Sequence, residues 1–340
     1  MRSLSAGGAS RDPHRRSLRC SIPHRTTAMD FSARRYTFLR RLALWCAVML
    51  LAVSSLSAYL RLSKLGLGCA DWPQCYGQSL RLAQQGVPVS ADEQTATAGA
   101  RLAHRVVASA ALLLAITMVL VCFGSRPVMR SEGGLAAALL GLALFLSVLG
   151  FWSSGVRVPA VAIGNLLGGF AMLALCARLA FASGPTLAPG SRLRGWALAA
   201  AALLAAQVAL GGLVSASFAG LSCTGWGDCS VVAVLQGSGL ESLNPWREPV
   251  LGEPPAVNPD GALAHGLHRY LAAGVALLLV PLGIAAWRRG RRRTAVLLGA
   301  LLLAQLLTGV LMVQFGLPLS LALLHNLIAA ASLATLVLLI

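Results

Sequence analysis

Eight stretches of this chain are apolar for about 20 residues each, the length that crosses the hydrocarbon core of a bilayer. They lie near 42–61, 102–124, 134–154, 159–183, 195–215, 263–287, 294–315 and 319–340. A bilayer offers no water to backbone N–H and C=O groups, so segments of this length satisfy them internally, as helices. Leu, Ala and Val occupy every face of each run, as lipid contact requires, and glycines are scattered where helices approach closely. With 57% hydrophobic and 11% charged residues and a mean hydropathy of +0.73, no stretch is left to build a separate soluble domain. Alternating ten-residue segments of the kind that form a membrane β-barrel are absent. The expected fold is an all-α integral membrane protein with eight transmembrane helices.

The formal net charge of +17 invites a nucleic-acid reading, but the placement of the arginines argues otherwise. They crowd the N-terminal tail and recur at Arg126 and Arg130, at Arg192 and Arg194, and from Arg288 to Arg293, which are alternate loops. This is the positive-inside pattern. It predicts a bacterial inner-membrane protein with both termini cytoplasmic, longer outer loops, lipid as its surroundings and no nucleic acid. Residues 1–36 read as a basic cytoplasmic tail, expected to be disordered. Residues 1–28 lack the apolar stretch of a secretory signal, and Met29 is an alternative start, because MDFSARRYTFLRR is itself a sufficient basic flank. The chain ends at Ile340 inside an apolar run, which raises the expectation of a truncated C-terminus.

Four of the eight cysteines fall in pairs on predicted outer loops. Cys69 and Cys75 stand in LGCADWPQC, and Cys223 and Cys229 in LSCTGWGDC, each with five residues between them. The outer face is oxidising, so each pair reads as a structural staple or as a redox couple to a thiol carrier. Zinc is disfavoured because neither loop holds a histidine. Cys46, Cys122 and Cys176 lie within spans and read as small core residues.

The paired loops begin a repeat displaced by about 154 residues. LAHRVVASAALLL around His104 resembles GLHRYLAAGVALLL around His268, and GNLLGGFAMLA around Asn165 resembles HNLIAAASLAT around His325. The chain therefore reads as a duplication, residues 37–190 forming one four-helix bundle and 191–340 a second, pseudo-symmetric one.

Ionisable groups inside a bilayer are costly and need a reason. No Asp or Glu lies inside the predicted runs, which argues against a transporter built on buried carboxylates. Histidine remains: His104, His265, His268 and His325 all lie at or inside helix ends, while His14 and His24 are in the tail. His265 and His268 are one turn apart on the sixth span. His268 and His325, on spans six and eight, enter from the same membrane face at similar depth. Two imidazoles opposed across a bundle are what six-coordinate heme iron requires. Arg105 and Arg269, each directly after a histidine, suit heme propionates or lipid headgroups.

LRLSKLGLGCADWPQCYG resembles the outer-loop signature of the heme A synthase family, in the bacterial class with cysteine pairs. ALGGLVSASFAGLSC, HGLHR and FGLPLSLALLHN resemble its second-half segments in order, and the likeness runs from about Tyr36 to the C-terminus. The resemblance implies two four-helix bundles, a heme b cofactor (iron the metal) held by His268 and His325, and a heme O substrate in the first half near His104. The implied reaction oxidises a heme O methyl to the formyl of heme A for cytochrome c oxidase assembly. Heme O synthase and oxidase subunits or assembly factors would then be partners, with an electron donor not identified and a homo-oligomer admitted.

Two positions depart from the family pattern. Arg101 stands where a glutamate precedes the first-half HR motif, and Asn165 is read at the position of the fourth-span histidine. The substrate half thus keeps one axial histidine, His104. A catalytically degenerate heme-b-binding protein in electron transfer or oxidase assembly is the alternative this leaves, and a thiol–disulfide membrane oxidoreductase is a more distant one.

Overall fold

A computed structural model describes residues 24–87, 91–152, 157–181, 191–223, 239–251 and 258–340. Among these, nine α-helices and no strands are found. They are α1 (His24–Lys64), α2 (Gln78–Gln84), α3 (Ala91–Phe123), α4 (Arg130–Trp152), α5 (Pro159–Phe181), α6 (Ser191–Ala216), α7 (Ala262–Arg288), α8 (Arg292–Gln314) and α9 (Leu319–Leu336). All but the short α2 are long and apolar enough to span a membrane, and all eight coincide with the apolar runs of the sequence.

The spans form two rings of four. In the first, α1 packs on α3, α3 on α4, α4 on α5 and α5 back on α1; in the second, α6, α7, α8 and α9 repeat that circuit. α3 and α5 are therefore diagonal in one bundle, as are α7 and α9 in the other. The bundles join through α5 against α9, flanked by α5 against α6 and α1 against α9. Those two flanking contacts exchange under the repeat, so the halves meet about a pseudo-two-fold axis. Lipid tails supply no hydrophobic drive between helices, so the seams depend on close packing of small residues. Ala43, Cys46, Ala111, Ala136, Cys176 and Ala330 are buried there. Cys46, Cys122 and Cys176 are free thiols within this core.

Two boundaries differ from the sequence reading. Residues 24–36, assigned to a disordered tail, are helical and continue α1. No Pro or Gly interrupts the chain from His24 to Lys64, and the propagating helix simply extends through Arg, Ala, Met and Leu, all good helix formers. Arg35 fastens this extension by donating to the carbonyls of Val121 (2.6 Å), in the last turn of α3, and Pro127 (2.9 Å), just beyond it. Likewise α4 begins at Arg130 rather than near 134, so one acid, Glu132, is buried in its first turn. A carboxylate is favoured at a helix N-terminus.

At the opposite membrane face the loop after α1 folds down as a cap. Trp72, Tyr76 and Phe218 stack edge to face, with centroids 5.4 and 5.6 Å apart, over buried Leu62, Leu67 and Leu317. Burial raises the Tyr76 phenol above the ordinary tyrosine range, keeping it neutral. Phe218 and Leu317 hold left-handed φ of 57° and 60°. Such strain costs bulky residues about 1–2 kcal/mol each, offset here by burying both side chains in the cap.

Candidate functional site

His268 and His325 each lie six residues inside their helices, α7 and α9. At 1.5 Å rise per residue both sit about 9 Å from the helix start. Since the two helices are diagonal and start on the same face, the imidazoles enter the second bundle at one depth. Both rings are closely surrounded by protein yet keep some accessible surface.

The hydrogen bonds around each ring indicate which nitrogen carries the proton. His268 Nδ1 lies 3.2 Å from the Gln207 carbonyl, which only accepts, so Nδ1 carries the proton. His325 Nδ1 lies 3.0 Å from Thr308 Oγ1, whose own hydrogen is directed to the carbonyls of Ala304 and Gln305. The hydroxyl therefore accepts from Nδ1 there too. In both histidines Nε2 keeps its lone pair, the form in which imidazole binds a metal. A glutamine amide stands beside each: Gln207 Nε2 is 3.4 Å from His268 Nε2, and Gln305 Nε2 is 2.9 Å from His325 Nε2. Both glutamines leave a buried Oε1 without a partner.

Glycine makes room for both rings. A Cβ on Gly211 would meet His268 Cε1 at 2.8 Å, and one on Gly309 would meet His325 Cε1 at 3.3 Å. Each glycine follows its glutamine by four residues, one helical turn, so α6 and α8 present the same Gln-x-x-x-Gly face to their histidines. Sequence reasoning missed Gln207, Gln305 and Thr308 because it weighed only ionisable groups inside the spans. The repeated Gln-x-x-x-Gly spacing in AAQVALGG and LAQLLTGV was the signal available. Two imidazoles with deprotonated Nε2, each cleared by a glycine, fit an iron macrocycle held between them.

A roof of polar contacts closes the end of this bundle at which α7 and α9 begin. His265, one turn before His268, is buried with Nδ1 3.1 Å from the Ala219 carbonyl. Arg269 donates to the Cys223 carbonyl at 2.8 Å. Asn258 donates to the Ser217 carbonyl and its own carbonyl accepts from Ser222, both at 2.6 Å. His265 is thus a loop anchor, although it shares a helix face with His268.

The first bundle is built differently. His104 is half-buried on α3, between Leu102 and Val106, which are 64% and 60% exposed. Arg101 turns back along its own helix to the Thr97 hydroxyl, and Arg105 is exposed. The assignment of Asn165 to the fourth-span position shifts by one residue. Ser147 returns its hydroxyl to Ala143 as Thr308 does to Ala304, identifying Ser147 with Thr308. His325 follows Thr308 by 17 residues, and the residue 17 after Ser147 is Gly164. Gly164 faces Leu149 of α4, much as His325 faces Gly309 of α8. Asn165 then matches Asn326, the residue after His325.

Cys69 and Cys75 are joined beside the aromatic cap, their Cα atoms 6.7 Å apart. Cys223 is buried and disulfide-bonded, and Cys229, its partner by sequence, lies outside the described residues.

A family model described as cytochrome oxidase assembly protein matches residues 40–337. A curated heme A synthase of Shewanella oneidensis is 31% identical over 325 residues, covering 88% of this chain and 94% of that relative. A heme A synthase of Novosphingobium aromaticivorans is 33% identical over 141 residues, 41% of this chain and 39% of that relative. With its eight spans in two repeated bundles and a family match running almost end to end, the chain belongs to the cytochrome oxidase assembly protein family.

Proposed function

We propose that this membrane protein acts in heme A biosynthesis, oxidising the methyl group of heme O to the formyl group of heme A for cytochrome c oxidase. The observation that carries this reading is the opposed pair His268 and His325, each with Nδ1 anchored and a deprotonated Nε2 facing a glutamine amide that a metal would displace. Heme b is the cofactor this donor set suits, and its iron supplies one-electron redox chemistry when bound. The residues around it do three things: Gln207 and Thr308 orient the rings, Gly211 and Gly309 hold the cleft open, and the roof from Ser217 to Arg269 excludes water. Arg269 is within reach of a propionate while holding the Cys223 carbonyl, and Arg105 is its counterpart toward the substrate.

Heme O is assigned to the first half, around His104, where the exposed flank gives a bulky lipid-like substrate a route from the membrane. The halves 37–190 and 191–340 are substrate and cofactor domains in this reading. Both termini face the cytoplasm, following the arginine clusters, and the cysteine pairs staple the outer loops. Heme O synthase and oxidase subunits or assembly factors are the natural partners, with an electron donor of unassigned identity.

A second reading has one observation in its favour: Arg101 and Gly164 leave the first half with a single iron ligand and no carboxylate beside it. A heme-b-binding protein that passes electrons or escorts heme would need no more. Hemes extracted from cells co-expressing the chain with a heme O synthase, against the synthase alone, separate the two. Heme A or its hydroxylated precursor appearing only with this chain supports the enzyme. Heme b on the purified protein with heme O unconverted leaves the second reading.

A further inference from the structure

Arg61, near the outer end of α1, belongs to the first bundle but does not serve it by its contacts. Its Nη1 donates to Ser215 Oγ of α6 at 2.6 Å. The two residues are 154 apart, the displacement of the repeat, so this bond joins equivalent positions across the pseudo-two-fold axis. The relation is one-sided, because the second half offers a serine where the first has a guanidinium.

Ser215 stands one turn outward from Gly211, and Gly211 from Gln207, on one face of α6. Gly211 and Gln207 are the residues that touch His268. The Arg61 guanidinium is therefore held about one helical pitch, 5.4 Å, outside the level of the His268 ring. Like His268 and His325 it is crowded by protein yet keeps accessible surface. A guanidinium carries five N–H donors. Among the described residues Ser215 is the one side chain that accepts from Arg61, and no carboxylate there lies within ion-pair distance. A buried cation left this way calls for an anion.

We propose that Arg61 completes the second-half site from the first half, its free N–H groups pairing with a carboxylate substituent of the macrocycle ligated by His268 and His325. This rests on the heme reading of those histidines. It makes the site a product of the interface between the bundles, so neither half holds the cofactor fully alone. Arg61 is a binding residue here, distinct from Arg269, which is engaged with the roof.

The test uses the full-length chain in nanodiscs, stripped of heme and titrated with protoheme and with its dimethyl ester, whose propionates carry no charge. Wild type binds the free acid more tightly, and Arg61→Gln lowers that preference by about tenfold, the loss expected of one charge-assisted hydrogen bond, while binding the ester as before. Arg61→Lys, which keeps the cation but not the fork, retains part of the preference and guards against misfolding of the glutamine variant. A preference unchanged in Arg61→Gln, or both hemes weakened equally, overturns the proposal. Wild type that binds both hemes but does not distinguish them also overturns it, leaving the histidine pair intact. Wild type that binds neither defeats the underlying heme reading as well.

Discussion

The two bundles share a topology and a repeat, yet only the second sets two imidazoles at one depth, each with an anchored Nδ1. Around His325 stand Gln305, Thr308 and Gly309; the corresponding first-half positions are Leu144, Ser147 and Val148. Around His268 stand Gln207 and Gly211; their first-half counterparts are Val53 and Ser57. The start of α7 is buried from Ala262 to Gly266 under a polar roof, whereas the matching stretch of α3 exposes Arg101, Leu102 and Arg105. The two halves share what packing needs, the circuit of helix contacts and the small-residue seams. The polar residues that aim the imidazoles of the second half have no counterpart at the matching first-half positions. An enclosed, oriented site suits a cofactor that stays; an open one suits a ligand that enters and leaves.

The comparison breaks most sharply at the ligands. His325→Ala is expected to abolish heme b retention in the purified protein, read by its optical spectrum, whereas His104→Ala leaves the bound heme b in place. Next comes Thr308→Val, which removes the acceptor for His325 Nδ1. Loss of such an orienting partner lowers affinity by about 10- to 100-fold, measured by heme transfer to an apo acceptor protein. Asn258→Ala deletes a roof hydrogen bond and is expected to cost about 1 kcal/mol, seen as a lower unfolding midpoint with the heme spectrum unchanged. Ser147→Ala, the first-half counterpart of Thr308, sits at the bottom of the series. Its hydroxyl only returns to its own helix, so the change stays within about 0.5 kcal/mol in the same denaturation assay. A large effect of Ser147→Ala on heme binding would dissolve the asymmetry between the halves.

Much of this was legible in sequence, for reasons that differ by residue. The eight spans follow from local hydropathy, and the histidine pair from two imidazoles at like depth in spans six and eight, which enter from one membrane face. The helical extension before Tyr36 was not legible, since a basic flank reads the same whether or not a helix runs through it. Gln207, Gln305 and Thr308 are uncharged and pass for packing residues until their neighbours are known. Gly164 was hidden by a one-residue ambiguity between GN and HN that only the helix contacts resolve. Arg61 reads as a headgroup anchor, because nothing in a linear sequence shows a side chain crossing to the opposite half.

The most direct test of the central claim, that heme b belongs to the second bundle, is the heme content and spin state of purified His104→Ala beside His268→Ala. His104→Ala is expected to retain a stoichiometric low-spin heme b and His268→Ala to lose it. Retention by His268→Ala together with loss in His104→Ala would contradict the claim.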